Sequence, residues 1–88
     1  MPRVTHLEET EEHFHFQFGT VPGESFVYVL QGFKYLIPLE HRHWDSDSAR
    51  WQVDKDPEVT AKLATFFSNF SSMLQASRQQ LSLFTREP

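Results

Sequence analysis

Four histidines fall in two His-x-His pairs, His13 with His15 and His41 with His43. Alternate residues of a strand share a face, so each pair would project both imidazoles to one side. If the two strands were neighbours, the four rings would converge into a donor set that suits zinc, copper or nickel. A His-x-His pair lacks the fixed ligand spacing of a zinc finger. No metal and no cofactor is therefore assigned. The alternative is a polar sheet face that gains charge in mild acid.

Lys34, Arg42, Arg50 and Lys55 form the local concentration of cations. Contact with phosphate is the chemistry they could do. The alternative is a scatter of solvated charges balanced by Asp45, Asp47, Asp54 and Asp56. Tyr28 and Tyr35 are candidates for exposed aromatic contact. Trp44 and Trp51 could stack on bases, but a chain this small needs their area in its core, and core is the preferred reading. Catalysis finds no signature: there is no Gly-rich phosphate loop, no Gly-x-Ser-x-Gly elbow and no His-Glu-x-x-His. Carboxylate–histidine neighbours such as Glu40 with His41, or Asp45 with His43, would sit on a hairpin with no enclosed cleft to tune them. The expectation is a protein that is not an enzyme.

The elements that would position these groups can be read from periodicity. Phe14, Phe16 and Phe18 alternate with His13, His15 and Gln17, the mark of a half-buried strand. A turn follows at Gly19-Thr20-Val21-Pro22-Gly23. Phe26, Val29, Leu30, Phe33, Leu36 and Ile37 then recur at steps of three and four, which predicts a helix over about Glu24 to Ile37. Gly32 and the β-favouring Phe26-Val27-Tyr28-Val29 leave a strand as the competing assignment. Pro38 ends the element either way. A hairpin follows, turning on residues 45–50, with Trp44 facing Trp51 and Arg42 facing Val53. Asp56-Pro57-Glu58 reads as a capped helix start. Val59, Leu63, Phe66, Phe67, Phe70, Met73 and Leu74 predict one long helix reaching about Gln80. It would be ~36 Å long against ~20 Å for a strand, so its second half would overhang the sheet.

The expected fold is thus α+β, a single small β-α-β-β-α domain spanning 1–88. A three-stranded sheet packs on two helices, the ordered core covers about 13–80, and Glu8-Glu9-Thr10-Glu11-Glu12 is a solvated lead-in. The 88 residues carry a net charge of −4, which argues against broad coating of a nucleic-acid backbone. Nine Phe, two Trp and two Tyr supply the core, and there is no Cys, so disulfides and thiolate metal sites are excluded. No apolar run nears the ~20 residues that span a bilayer, and the first residues lack a signal-peptide pattern. A cytoplasmic protein without membrane contact is expected.

The run Ile37-Pro38, Arg42, Trp44-Asp45 and Trp51 resembles the hairpin signature of the small HARP-like module attached to annealing helicases and related DNA-processing proteins. In that family an Ile-Pro dipeptide ends the helix, a basic residue precedes an aromatic-Asp pair, and a Trp follows seven residues after the aromatic. The likeness covers 13–70 in element order and about 17 residues in motif. It implies recognition of DNA, in service of an attached motor. The chain departs from the family in carrying no motor within these residues and in being acidic overall.

Two functions are therefore expected. One is a nucleic-acid-binding accessory module that meets DNA or RNA through Lys34, Arg42, Arg50, Lys55, Tyr28 and Tyr35. The other is an assembly module that forms a homodimer or takes a protein partner through the overhanging helix, at Phe70, Met73, Leu74 and Leu81.

Overall fold

The alternating phenylalanines do form a strand, and it lies inside a sheet rather than at its border. The computed structural model describes residues 2–85, with side chains described through residue 79. Four strands, β1 (Arg3–Glu9), β2 (His13–Gly19), β3 (Arg42–Asp45) and β4 (Arg50–Asp54), form one antiparallel sheet in the order β1-β2-β4-β3. Three helices, α1 (Phe26–Leu36), α2 (Pro57–Phe66) and α3 (Phe70–Thr85), supply the covering layer. A single 3₁₀ turn, Leu39–His41, leads into β3. The α+β class holds, but the expected three strands and two helices become four and three.

The extra strand comes from the segment expected to be a solvated lead-in. Val4 and Leu7 are both buried although they stand three residues apart, a spacing that a regular strand would split between its two faces. The pairing register shifts between Val4 and His6. That bulge returns both side chains to the core face, Val4 opposite Phe18 and Leu7 opposite Phe16. Only the tip of the acidic run is a turn. Thr10 closes it, its N–H donating to the His13 carbonyl at 2.9 Å and its hydroxyl bridging the His13 backbone.

Helix, not strand, is the outcome for 26–36. Pro38 follows, and the Ile37 N–H closes the helix on the Phe33 carbonyl at 2.9 Å. Gly32 has a packing reason: a Cβ there would lie 3.2 Å from the Phe66 ring of α2. The start of α2 is as expected, with Asp56 accepting from the Glu58 and Val59 N–H groups and Pro57 in the first turn.

The long C-terminal helix is corrected to two. The chain leaves helical geometry at Phe67, which is extended, and resumes at Phe70. Asn69 explains the break. Its side chain accepts from the Val4 N–H and donates to the Val4 carbonyl, both at 2.8 Å. Beside it the Ser68 N–H donates to the Pro2 carbonyl at 3.2 Å. Ser and Asn gain little from a helix interior, and these tertiary bonds outweigh the helical ones they replace. The redirected α3 lies along β1, so the predicted overhang disappears for the part whose side chains are described. Phe70 and Leu74 are buried in the chain's own core, and Met73 packs half-buried against it. They are not on an outer face as the assembly reading required. Leu81 lies in α3 with its side chain outside the described residues.

Phe16 is the centre of the core. Its ring meets Phe33, Phe67 and Phe70 edge-on, at centroid distances of 5.8, 5.7 and 6.4 Å, the arrangement that ring quadrupoles favour. The helices thus cover one face of the sheet, and the other face is left open.

Candidate functional site

On α1 the buried positions are Val29 and Phe33. The opposite side of the helix carries Tyr28 and Tyr35, 76% and 93% exposed. Seven residues is close to two turns, so both rings stand on one stripe, ~10 Å apart along the axis. Lys34 adjoins Tyr35, is exposed, and has no ion pair or hydrogen bond among the described residues. From Ser25 to Leu39 the chain holds no Asp or Glu, and Lys34 is its one charge. In an acidic protein this stretch therefore carries two exposed aromatic rings and one cation, and no carboxylate of its own. Val27 and Leu39, both exposed, border it.

The other three expected cations do not join that face. Arg42 points to the helix side of β3 and donates its Nε–H to the Ile37 carbonyl at 2.9 Å, closing the C-terminal end of α1. Arg50 lies on the open face of the sheet, 2.8 Å from Glu8, and its guanidinium holds the Glu8 carboxyl below the usual carboxylate range. Lys55 reaches Glu9 at 2.6 Å and the Thr10 carbonyl at 3.1 Å.

Glu9 is a site that sequence reasoning missed. It sits on the helix side of β1, its side chain only 10% exposed, between Arg78 of α3 and Lys55. Arg78 Nε and Nη2 each donate to one of its two oxygens at 2.9 Å. The Arg78 hydrogen bonds first, then Lys55, pull its pKa down to about 2 against the opposing effect of burial. Its partners are 46 and 69 residues away in sequence, so no local pattern could signal them. The cluster joins β1 to α3 and performs a structural task.

The histidines do not converge. β4 lies between β2 and β3, so His15 and His43 flank Gln52 from opposite sides. His13 and His41 both turn to Asp54, at 3.4 and 3.0 Å. Among the described residues no group of three or more His, Cys, Asp or Glu is arranged to hold a metal ion. The open face is instead a polar surface of His6, Glu8, His15, Gln17, Arg50 and Gln52.

The two tryptophans pair as the hairpin register requires, ring centroids 5.2 Å apart and on the same side of the sheet. Their fates differ. Trp51, on an inner strand, is 9% exposed and packs on Phe33 at 4.9 Å. Trp44, on the terminal strand, is 46% exposed, which departs from the expectation that both belong to the core. Trp44, Trp51, Phe18 and Phe26 line a hollow of about 260 Å³ at the end of the sheet, with Thr5, Gln17 and Ala49 at its margin. A groove of about 730 Å³ beside α1 and α2 is lined by Leu36, Ala61, Thr65 and Phe66, with Lys62 paired to Glu58. No helix among the described residues is long and apolar enough to cross a membrane.

Set against protein-family models, curated proteins and solved structures, the chain finds no significant match.

Proposed function

We propose that this domain is a non-catalytic recognition module that binds single-stranded nucleic acid through the outer face of α1. Tyr28 and Tyr35 stack on bases, and Lys34 meets a phosphate. The observation that carries this reading is the clearing of acidic residues between Glu24 and Glu40, in which two exposed tyrosines and an unpaired lysine stand together. Net charge alone argues the other way, but stacking does not need it. Each base stacked on an aromatic side chain contributes about 1–3 kcal/mol. The resemblance of the 37–51 segment to the HARP-like module supports the same class of ligand and a role beside a DNA-processing motor. The lack of cysteine suits a reducing, cytoplasmic setting.

With Arg42, Arg50 and Lys55 engaged inside the molecule, binding has a shallow dependence on salt. Each phosphate met on a single strand adds about 0.7 to the slope of log K on log salt, so a slope of about 1 is expected. The test is fluorescence anisotropy of labelled single-stranded DNA and RNA oligonucleotides at low salt. Tyr28→Ala and Tyr35→Ala are each expected to weaken binding roughly 5- to 100-fold, the equivalent of the stacking energy. Both side chains are exposed, so the fold survives. Absence of binding to single-stranded, duplex and forked oligonucleotides at low salt would falsify the proposal.

A protein-binding role keeps one specific support, the exposed Val27 and Leu39 that border the tyrosines. It predicts binding that is insensitive to salt and independent of Lys34.

A further inference from the structure

The geometry points to a second copy of this chain as the occupant of the outer edge of β3, joined to it strand against strand. β3 is terminal in the sheet and pairs only with β4. The Arg42 N–H is taken by the Leu39 carbonyl of the 3₁₀ turn, not by β4. Backbone groups alternate sides along an antiparallel strand, so Trp44, two residues on, also turns its N–H and C=O outward. No described residue answers them. A strand edge of this kind is a template for another strand. The devices that blunt edges are few here: β3 has no Pro and no Lys, and its one cation, Arg42, is turned inward to Ile37. Its shortness remains, and it sets a modest affinity.

Self-complementarity selects the occupant. A twofold axis through Trp44, normal to the sheet, sets each Trp44 opposite its counterpart. The two residues then exchange a pair of N–H···O=C bonds, each donating once and accepting once. His43 and Asp45, both on the open face, fall opposite each other twice, once on each side of the axis. They occupy the close, non-hydrogen-bonded positions, with Cα atoms ~4.5 Å apart, where an imidazole N–H can donate to the carboxylate. Asp45 is already oriented by bonds from the Asp47 N–H at 3.1 Å and the Ser48 hydroxyl at 2.8 Å, which leaves acceptor capacity free. On the helix side, the 5.2 Å Trp44–Trp51 pair extends into a row of four indoles across the axis. The half-exposed Trp44 is covered, and the two sheets become one. The edge of β3 shares no residue with the tyrosine stripe of α1.

Sedimentation velocity on the full chain, from about 5 to about 500 μM, reads the association directly. The weight-average mass is expected to climb from 10.4 kDa towards twice that value. His43→Asp places two carboxylates against each other on both sides of the axis. It is expected to weaken association by about tenfold or more, with an unchanged circular-dichroism melt at low concentration. Amide exchange of Trp44 is expected to slow with concentration while that of His43, which faces β4, does not change. A chain that stays monomeric at the top of the range overturns the inference. So does a dimer that ignores His43→Asp and leaves the Trp44 amide unchanged. A monomer whose Trp44 amide is protected only by an added extended peptide overturns it too, and gives the edge to another protein's strand.

Discussion

At the start of β1 the outer backbone is answered by Ser68 and Asn69, whereas on β3 the outward N–H and C=O of Trp44 meet no described partner. At β1, Asn69 supplies an amide that imitates a neighbouring strand, one donor and one acceptor at 2.8 Å on the two polar groups of Val4. Beside it the Ser68 backbone N–H donates to the Pro2 carbonyl. Further along the same strand, Glu9 is fastened to Arg78 and Lys55. At β3 the corresponding outward groups of Trp44 have no such answer, and its indole is half exposed. One border of the sheet is therefore closed at Val4, where polar groups left unpaired would be costly. The other keeps that capacity in reserve for a ligand. Function is expected where the chain has left its hydrogen bonds unmade.

Asn69→Leu tests the sealed edge most severely. It keeps the side-chain volume and removes both bonds, leaving the Val4 N–H and C=O unpaired in a part-buried position. At about 1–3 kcal/mol for each orphaned group, the expected loss is about 2–4 kcal/mol in urea denaturation. Asn69→Asp keeps the acceptor and loses the donor, and should fall between the wild type and Asn69→Leu. A loss under about 0.5 kcal/mol for Asn69→Leu, typical of a plain surface change, would erase the distinction between the edges.

Acid sharpens the comparison next. Glu9 has a folded pKa of about 2, below the ordinary glutamate value near 4.3. The stability it contributes is therefore fully present above pH ~4.5 and is lost as the pH falls towards 2. Arg78 is more than half exposed, so solvent screening trims the contribution to the order of 2 kcal/mol. Glu9→Gln should cost about that much at neutral pH and flatten the acid limb of the stability curve between pH ~4.5 and ~2. An acid limb as steep in the variant as in the wild type would show that the cluster does not fasten β1 to α3.

Much of this could be read from residues in order, and what could not has a physical cause. β2 and the hairpin were legible because alternation and facing tryptophans are local facts. The start of α2 was legible because Asp56-Pro57-Glu58 is a local cap. β1 was hidden by its own bulge, since Val4 and Leu7 stand at odd spacing and mimic no strand. The break between α2 and α3 was hidden by the apolar stripe that runs unbroken through Phe66, Phe67 and Phe70, while its cause, Asn69, is explained only by Val4, 65 residues away. In the candidate site, the exposure of Tyr28, Lys34 and Tyr35 followed from helical spacing. The engagement of Arg50 and Lys55 did not, because ion pairing depends on strand order, and that of Arg42 did not, because its partner is the backbone carbonyl of Ile37, which no side-chain pattern marks. Whether the histidine pairs could converge depended on strand order too, and β4 lies between their strands.

Trp44 carries the smallest effect on stability and the sharpest contrast. Trp51→Ala would open a cavity under Phe33, a change of the kind that costs about 3–5 kcal/mol. Trp44→Thr leaves a good strand residue at an edge and forfeits a cross-strand aromatic pair, about 0.2–1 kcal/mol. At about 5 μM, where the chain is monomeric, its melting temperature should drop by only a few degrees. At about 500 μM the wild type should gain stability from association. The Trp44→Thr variant keeps the backbone pairing but loses the row of indoles and should gain less, so the gap between them widens with concentration. A gap that is the same at both concentrations would mean that the indole serves only its own hairpin, and that the open edge of β3 is as finished as the sealed edge of β1.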